Sequence, residues 1–344
     1  MSADEEDPDP REGPLHPRHR EVLFGHGAAE RRLIDAYRSG RFHHAWLLTG
    51  PKGIGKATLA YRLARYILRY PEQADAPADS LHVAADDHVA AQVAARAHPD
   101  LLVVQRAADG SKLKTIINVE TSRRAGEFFS KTAGAGGWRV CIVDAAEDMN
   151  IAAANALLKT LEEPPARSVF ILVCSQPGRL LRTIRSRCIE LPLSRLSSED
   201  TRSALDALPE GAGREAMKAI EFAQGSPGLA LSLAETGAGA VFARFAEAAQ
   251  RGRIDEATRI AIANGLYGKG TDDRFNSFCD LLDDWLTRSA ADAARSGTHA
   301  ATGLALAEAH DAISRSIRET NALNLDRRLT MLQAFEQIDK ARRA

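Results

Sequence analysis

A formal net charge of −1 over 344 residues leaves no global field to draw this chain to nucleic acid or to an anionic membrane, so any such contact has to come from a local patch or a partner subunit. Length argues for two or three domains rather than one core, and 44% hydrophobic with 26% charged residues is the balance of an ordinary soluble globular protein. No apolar run approaches the ~20 residues of a membrane span, and Cys141, Cys174, Cys188 and Cys279 form no C-x-x-C pair, which argues against a disulfide framework and points to a reducing cytoplasm.

Residues 1–20 carry Asp4, Glu5, Glu6 and Asp7 among prolines, with no apolar core, and are expected to form a disordered tail rather than a targeting signal. From Ala28 to Arg38, Leu33, Ile34 and Tyr37 mark one face of a helix that Gly40 ends. His43 and His44 then lead into a strand; neighbours on an extended chain point to opposite faces, so the pair is not expected to share a metal ion.

The stretch that organises the chain is Leu47-Leu48-Thr49-Gly50-Pro51-Lys52-Gly53-Ile54-Gly55-Lys56-Ala57-Thr58, followed by Leu59, Leu63 and Ile67 at helical spacing. Strand, glycine-rich turn and helix in that order make a phosphate cradle: the glycines let backbone N–H groups converge, the helix presents its positive end, and Lys56 reaches toward terminal phosphates. The pattern G-x-x-x-x-G-K-[ST] holds at Gly50, Gly55 and Lys56 and fails at Ala57, where a hydroxyl would hold Mg²⁺. Thr58 does not replace it, since the next helical position is turned by about 100°.

Tyr70 to Pro99, rich in alanine and aspartate, reads as an exposed insertion with a short helix over Val89 to Ala97. Leu101 to Val104 is a strand, Ile116-Ile117 a short extended piece, and Val119 to Thr132 a helix with Phe128 and Phe129 as core candidates. Val140-Cys141-Ile142-Val143-Asp144 is an apolar strand that delivers a carboxylate at its carboxyl end, where ligands collect in such folds. The following position is Ala145 rather than a water-polarising glutamate, and Glu147 would be displaced by ~6–7 Å if the strand continued. Asn150 caps a helix that Glu162-Glu163-Pro164-Pro165 stops, and Val169 to Val173 forms the next strand. Ser175, beyond it, is either a sensor of a terminal phosphate or a plain turn hydroxyl.

A short helix over Leu180 to Ile184 precedes Ser186-Arg187-Cys188 and a last strand, Ile189 to Pro192. Arg187 is either a surface ion-pair partner or an arginine aimed across a subunit boundary. The remainder is helical: starts at Ser197, Glu215 and Pro227 give a small three-helix unit, and apolar stripes over Phe275–Ala291, Leu304–Glu319 and Leu325–Arg342 fit a bundle for assembly.

In this order, Gly50 to Lys56, the strand ending in Asp144, the run from Asn155 to Pro165 (Asn-Ala-Leu-Leu-Lys-Thr-Leu-Glu-Glu-Pro-Pro) and Ser186-Arg187-Cys188 resemble the clamp-loader branch of the AAA+ ATPases, over roughly Leu23 to Glu235. The resemblance implies an α/β AAA+ P-loop module, a parallel sheet with flanking helices, over residues 21–194, a helical lid over 195–238 and an all-α collar over 239–344. It implies a degenerate nucleotide site formed by Gly50, Gly53, Gly55, Lys56, Ala57, Thr58, Asp144 and Ser175, holding ATP or ADP weakly without hydrolysis. Three catalytic parts of the branch are missing together: the hydroxyl at Ala57, the glutamate at Ala145, and the sensor-two arginine, whose place Gly228 takes. No cysteine cluster lies between Tyr70 and Arg106, so neither zinc nor another resident metal is expected. Arg187 is retained, and the resemblance assigns it to a neighbouring subunit's ATP site. The implied partners are gamma/tau-type and delta subunits of a replicative polymerase's loader and, through the assembly, the sliding clamp and primed DNA, with no membrane. Two other readings remain open: a working ATPase resting on Lys56 and Asp144, and a scaffold with a vestigial loop.

Overall fold

The computed structural model describes residues 13, 15–109, 112–113, 116–130, 134, 137–268, 270–296 and 300–343. The described residues up to Ala204, with Gly225–Gly228, form one compact unit; Leu205–Gln224 with Leu229–Ala344 form a second.

Five parallel strands build the first unit: Ala45–Thr49, Leu101–Val104, Arg139–Val143, Ser168–Cys174 and Ile189–Pro192. Across the sheet, 101–104 takes one edge, followed by 139–143, 168–174, 45–49 and, at the far edge, 189–192. The three central strands are buried along their whole length, which is why they read as unbroken apolar runs rather than as an alternation. The period of two survives in the face each residue takes. Trp46, Leu48, Ile142 and Ile171 pack on one side with Leu33, Tyr37, Leu59 and Leu63 of helices Gly27–Arg38 and Lys56–Arg69. Leu47, Cys141, Phe170 and Leu172 pack on the other with Phe129, Leu157 and Leu161 of helices Val119–Ser130 and Ile151–Glu162. The expected parallel α/β module is present.

Two expectations are corrected by this packing. Segment 70–99 is no exposed insertion: Ala76, Leu81, Val83, Val89 and Val93 are buried in the same core as the sheet. Its backbone is held there, with Leu81 N donating to Glu30 Oε1 at 2.8 Å and Asp87 capping the helix His88–Ala94. Scattered apolar residues among alanine and aspartate lack a period, so their burial is invisible in sequence. Residues 1–12 and 14 lie outside the described residues, but the end of the expected disordered tail is docked. His16 and Arg18 are buried, and Arg65 donates to the carbonyls of Arg18 and Arg20.

The second unit is all helix. The expected helix from Glu215 to Ala223 is two pieces, Glu210–Met217 and Ile220–Ala223, closed by Gln224 in a left-handed conformation at φ 43°. Three long helices follow, Asp272–Arg295, Ala300–Leu323 and Arg327–Ala341. Phe242, Phe245, Phe278 and Phe335 pack at the centre, the rings of Phe245 and Phe335 stacked with centroids 5.7 Å apart. Among the described residues no single helix is long and apolar enough to cross a membrane.

Candidate functional site

The phosphate-loop residues lie at the carboxyl end of strand 45–49. Gly50, at φ 137°, tolerates no side chain, because a Cβ there would stand 2.2 Å from the Leu193 carbonyl oxygen. Gly55, at φ 105°, is the N-cap of helix Lys56–Arg69 and brings no side-chain cap, so the first N–H groups of that helix face the loop unclaimed by a capping side chain. Leu23 and His26 close over it: a Gly55 Cβ would meet Leu23 Cδ1 at 3.1 Å, and His26 Nε2 lies 2.8 Å from the Ile54 carbonyl.

Lys56 is 4% exposed and folds back on the loop, donating from Nζ to the carbonyls of Gly50 at 2.7 Å and Pro51 at 2.6 Å. Burial pushes its pKa down to about 8, opposed by the nearby carboxylates of Glu147 and Asp144. Ala57 follows with a methyl where a Mg²⁺ ligand would stand, and Thr58 is the next residue along the helix.

Asp144 continues from the strand as expected, its N–H on the Val104 carbonyl at 2.9 Å. The chain then departs from extended geometry, which the sequence reading missed. Ala145 is left-handed at φ 61° and opens a turn of 3-10 helix, Ala146–Asp148. Glu147 is thereby folded back instead of carried ~6–7 Å onward along a strand. Its Oε1 accepts from the Ser175 N–H at 2.9 Å, and it is the strongest of the negative neighbours holding up the Lys56 proton. Ser175 is thus engaged through its backbone.

A further segment meets the loop from far along the chain. Ser226 Oγ donates to the Lys52 carbonyl at 2.7 Å and Gly228 N to the Gly53 carbonyl at 2.9 Å. Gly53 itself is left-handed at φ 77°. The crest of the phosphate loop is therefore fastened by two donors from residues 225–228.

Arg187 is not part of this cluster. Ile189 pairs with Trp46 and Pro192 with Thr49, so Arg187, in the turn just before strand Ile189–Pro192, lies at the amino end of the sheet, whereas Gly50 follows its carboxyl end. Its Nη1 donates to the Thr183 carbonyl at 2.7 Å and to Ser186 Oγ at 3.4 Å, and its Nη2 to Glu162 Oε1 at 2.6 Å. The side chain remains one-third exposed. His44, just before strand 45–49, donates from Nε2 to the Leu161 carbonyl at 3.0 Å, and the rings of His43 and His44 lie 4.3 Å apart. The expectation that these two histidines diverge fails because the strand begins only at Ala45. Cys188, next to Arg187, is an inert thiol pushed up to about 12 by burial.

The loop fits a phosphate in part. It offers backbone N–H groups, a helix start and an ammonium, without a hydroxyl at 57, a carboxylate at 145 or an arginine at 228.

The family described as DNA polymerase III, delta subunit, matches residues 25–197. The DNA polymerase III subunit delta' of Escherichia coli K12 is 36% identical over 212 residues, 59% of this chain and 58% of that protein. The delta' subunit of Pseudomonas aeruginosa is 38% identical over 189 residues, 54% of this chain and 53% of its own length. The gamma subunit of Buchnera aphidicola is 29% identical over 218 residues, 62% of this chain and 56% of that protein. The chain thus spans little more than half the length of the relatives it matches. With its parallel sheet, phosphate loop and helical carboxyl-terminal part, the chain belongs to the delta-prime family of DNA polymerase III clamp-loader subunits, within the AAA+ class.

Proposed function

We propose that this chain is the stator of its clamp loader. In this reading it presents Arg187 to the ATP site of a neighbouring gamma/tau-type subunit and joins that subunit and delta through its carboxyl-terminal helices. The assembly, working in the cytoplasm, places a sliding clamp on primed DNA. The chain's own site holds ATP or ADP weakly and does not hydrolyse it, and no zinc or other metal takes part. The observation that carries the reading is the separation along two paired strands: Arg187 precedes the amino end of strand Ile189–Pro192 and Gly50 follows the carboxyl end of its neighbour, and the guanidinium is bound away from its own phosphate loop yet still exposed. An arginine supplied in trans is worth ~10³–10⁵ in turnover, or about 4–7 kcal/mol.

The test is ATP turnover by the reconstituted loader, stimulated by clamp and primed DNA, with Arg187→Ala compared at equal assembly. A fall of at least a hundredfold is expected; unchanged turnover reduces the chain to a scaffold. One observation favours a second reading, hydrolysis in this chain's own site: Glu147 is folded toward Lys56. ATP hydrolysis by the purified chain, lost in Lys56→Ala, would establish it.

A further inference from the structure

We infer that Glu162 is the positioning residue of Arg187: the ion pair between them fixes the guanidinium so that its remaining N–H donors face outward, ready for an anion on another subunit. The inference rests on the trans role proposed above for Arg187.

Glu162 is the last residue of helix Ile151–Glu162 and is followed by Glu163. Carboxylates in the last turn oppose the helix dipole, so helix stability does not call for either of them. The two differ in what they touch. Glu162 meets Arg187 at 2.6 Å across 25 residues of sequence, whereas Glu163 is exposed, and its backbone N–H bonds the Lys159 carbonyl. Arg187 is held on its other side by the Thr183 carbonyl, in the short helix Arg182–Arg185, and by Ser186 Oγ at that helix's C-cap. A guanidinium gripped from two sides by a carboxylate and a carbonyl loses its rotamer freedom, and the donors left over take a fixed direction. Glu162 is half exposed and Arg187 one-third exposed, so the pair lies open to an approaching surface. Because Glu162 engages one edge of the guanidinium only, the ion pair and a new anion can be bound together, and no release step is needed. Losing that grip leaves the arginine present and charged but unaimed, and misplacement of a catalytic group by about 1 Å costs up to ~10²-fold in rate.

The experiment uses a loader reconstituted from this chain and its own gamma/tau and delta subunits, with kcat and KM for ATP measured on clamp and primed DNA. Glu162→Gln is expected to lower kcat about tenfold with KM unchanged. Glu162→Asp is expected to recover part of the loss, and Glu163→Gln to leave kcat unaffected. In an Arg187→Ala background, Glu162→Gln should add nothing. Normal or raised kcat in Glu162→Gln, with Arg187→Ala impaired, would overturn the positioning role and leave the trans arginine standing; so would losses that multiply in the double variant. An unimpaired Arg187→Ala loader removes the trans reading and this inference with it. If Glu162→Gln does not assemble, the free chain decides, using side-chain nitrogen NMR of labelled arginine. Arg187 should show restricted Nη rotation that Glu162→Gln releases and Glu163→Gln does not; equal spectra in all three overturn the inference.

Discussion

Gly228 and Gly53 approach so closely that the loop leaves no room for a side chain between them. A Cβ on residue 228 would lie 2.9 Å from Gly53 Cα and 3.0 Å from its carbonyl oxygen, the same oxygen that accepts the Gly228 N–H. The resemblance to the clamp-loader branch implies an arginine at this place in its ATP-hydrolysing members; here a side chain cannot be installed without moving the crest of the phosphate loop. Gly228→Ala is therefore expected to destabilise the first unit by about 1–3 kcal/mol, the usual cost of overpacking. Ser226→Ala, which removes the bond to the Lys52 carbonyl, should cost about 1 kcal/mol. Denaturant unfolding in a Trp285→Phe background, where Trp46 and Trp138 report on the first unit alone, measures both. Wild-type stability in Gly228→Ala would show that the loop yields freely.

Glu147 gives a second prediction. Its carboxylate accepts the Ser175 N–H and lies near the buried ammonium of Lys56. Glu147→Ala leaves that N–H without its acceptor and the ammonium without its strongest counter-charge, at an expected cost of about 1–3 kcal/mol. Glu147→Gln retains an acceptor oxygen and should lose less. Amide hydrogen exchange at Ser175 separates them, accelerated in Glu147→Ala and near normal in Glu147→Gln. Equal protection in both variants would mean that the bond contributes nothing.

The sheet was legible because its three central strands are buried on both faces and so leave uninterrupted apolar runs, two of them ending where a glycine or an aspartate takes over, at Gly50 and Asp144. The phosphate loop was legible because its spacing is a backbone requirement, as the clash of any Gly50 Cβ with Leu193 shows. What sequence hid was decided by single backbone angles or by distant partners. Ala145 takes a left-handed conformation at φ 61° with no glycine to announce it, and that one turn brings Glu147 into the site. Glu162 and Arg187 stood in two separate motifs, and only the fold brings them to 2.6 Å. The burial of segment 70–99 likewise depends on which surface it meets rather than on any period of its own.

Lys56 makes the first unit sensitive to alkaline pH. Burial lowers its pKa from 10.5 to about 8. Between those values the unfolded chain holds a proton that the folded chain has released, so stability rises with pH across the window and the cost of burying the ammonium is greatest below it. From about pH 8 to about pH 9.5 the gain is on the order of 2 kcal/mol. Lys56→Met, which has no such proton, should lack this rise. Paired denaturant titrations of the two proteins at several pH values, with Trp285 replaced in both, cancel the contribution of other groups. Parallel curves would mean that Lys56 titrates normally in the folded chain.

The second unit carries the opposite dependence. His310 Nε2 lies 2.7 Å from Asp283 Oδ1, which also accepts from Ser314 Oγ at 3.1 Å, and Asp311 stands 3.5 Å from His310 Nδ1. The hydrogen bond to Asp283, against burial and with the charges of Asp283 and Asp311, raises the His310 pKa above its ordinary value. Asp283 is held below the usual carboxylate range by His310, Ser314 and Arg318, which outweigh its burial. A histidine with a raised pKa contributes its full stabilisation below its ordinary pKa of about 6.5 and loses it as pH rises through the raised value. The packing of helix Asp272–Arg295 on helix Ala300–Leu323 is therefore expected to be tighter at about pH 6 than at about pH 8. Amide exchange along residues 303–317, corrected for the intrinsic effect of pH, should show more frequent opening at the higher value. His310→Gln should remove the difference, because its neutral amide meets Asp283 equally at both. Protection that stays constant in the wild-type chain, or that still falls with pH in His310→Gln, would show that the Asp283 contact does not hold the two helices together.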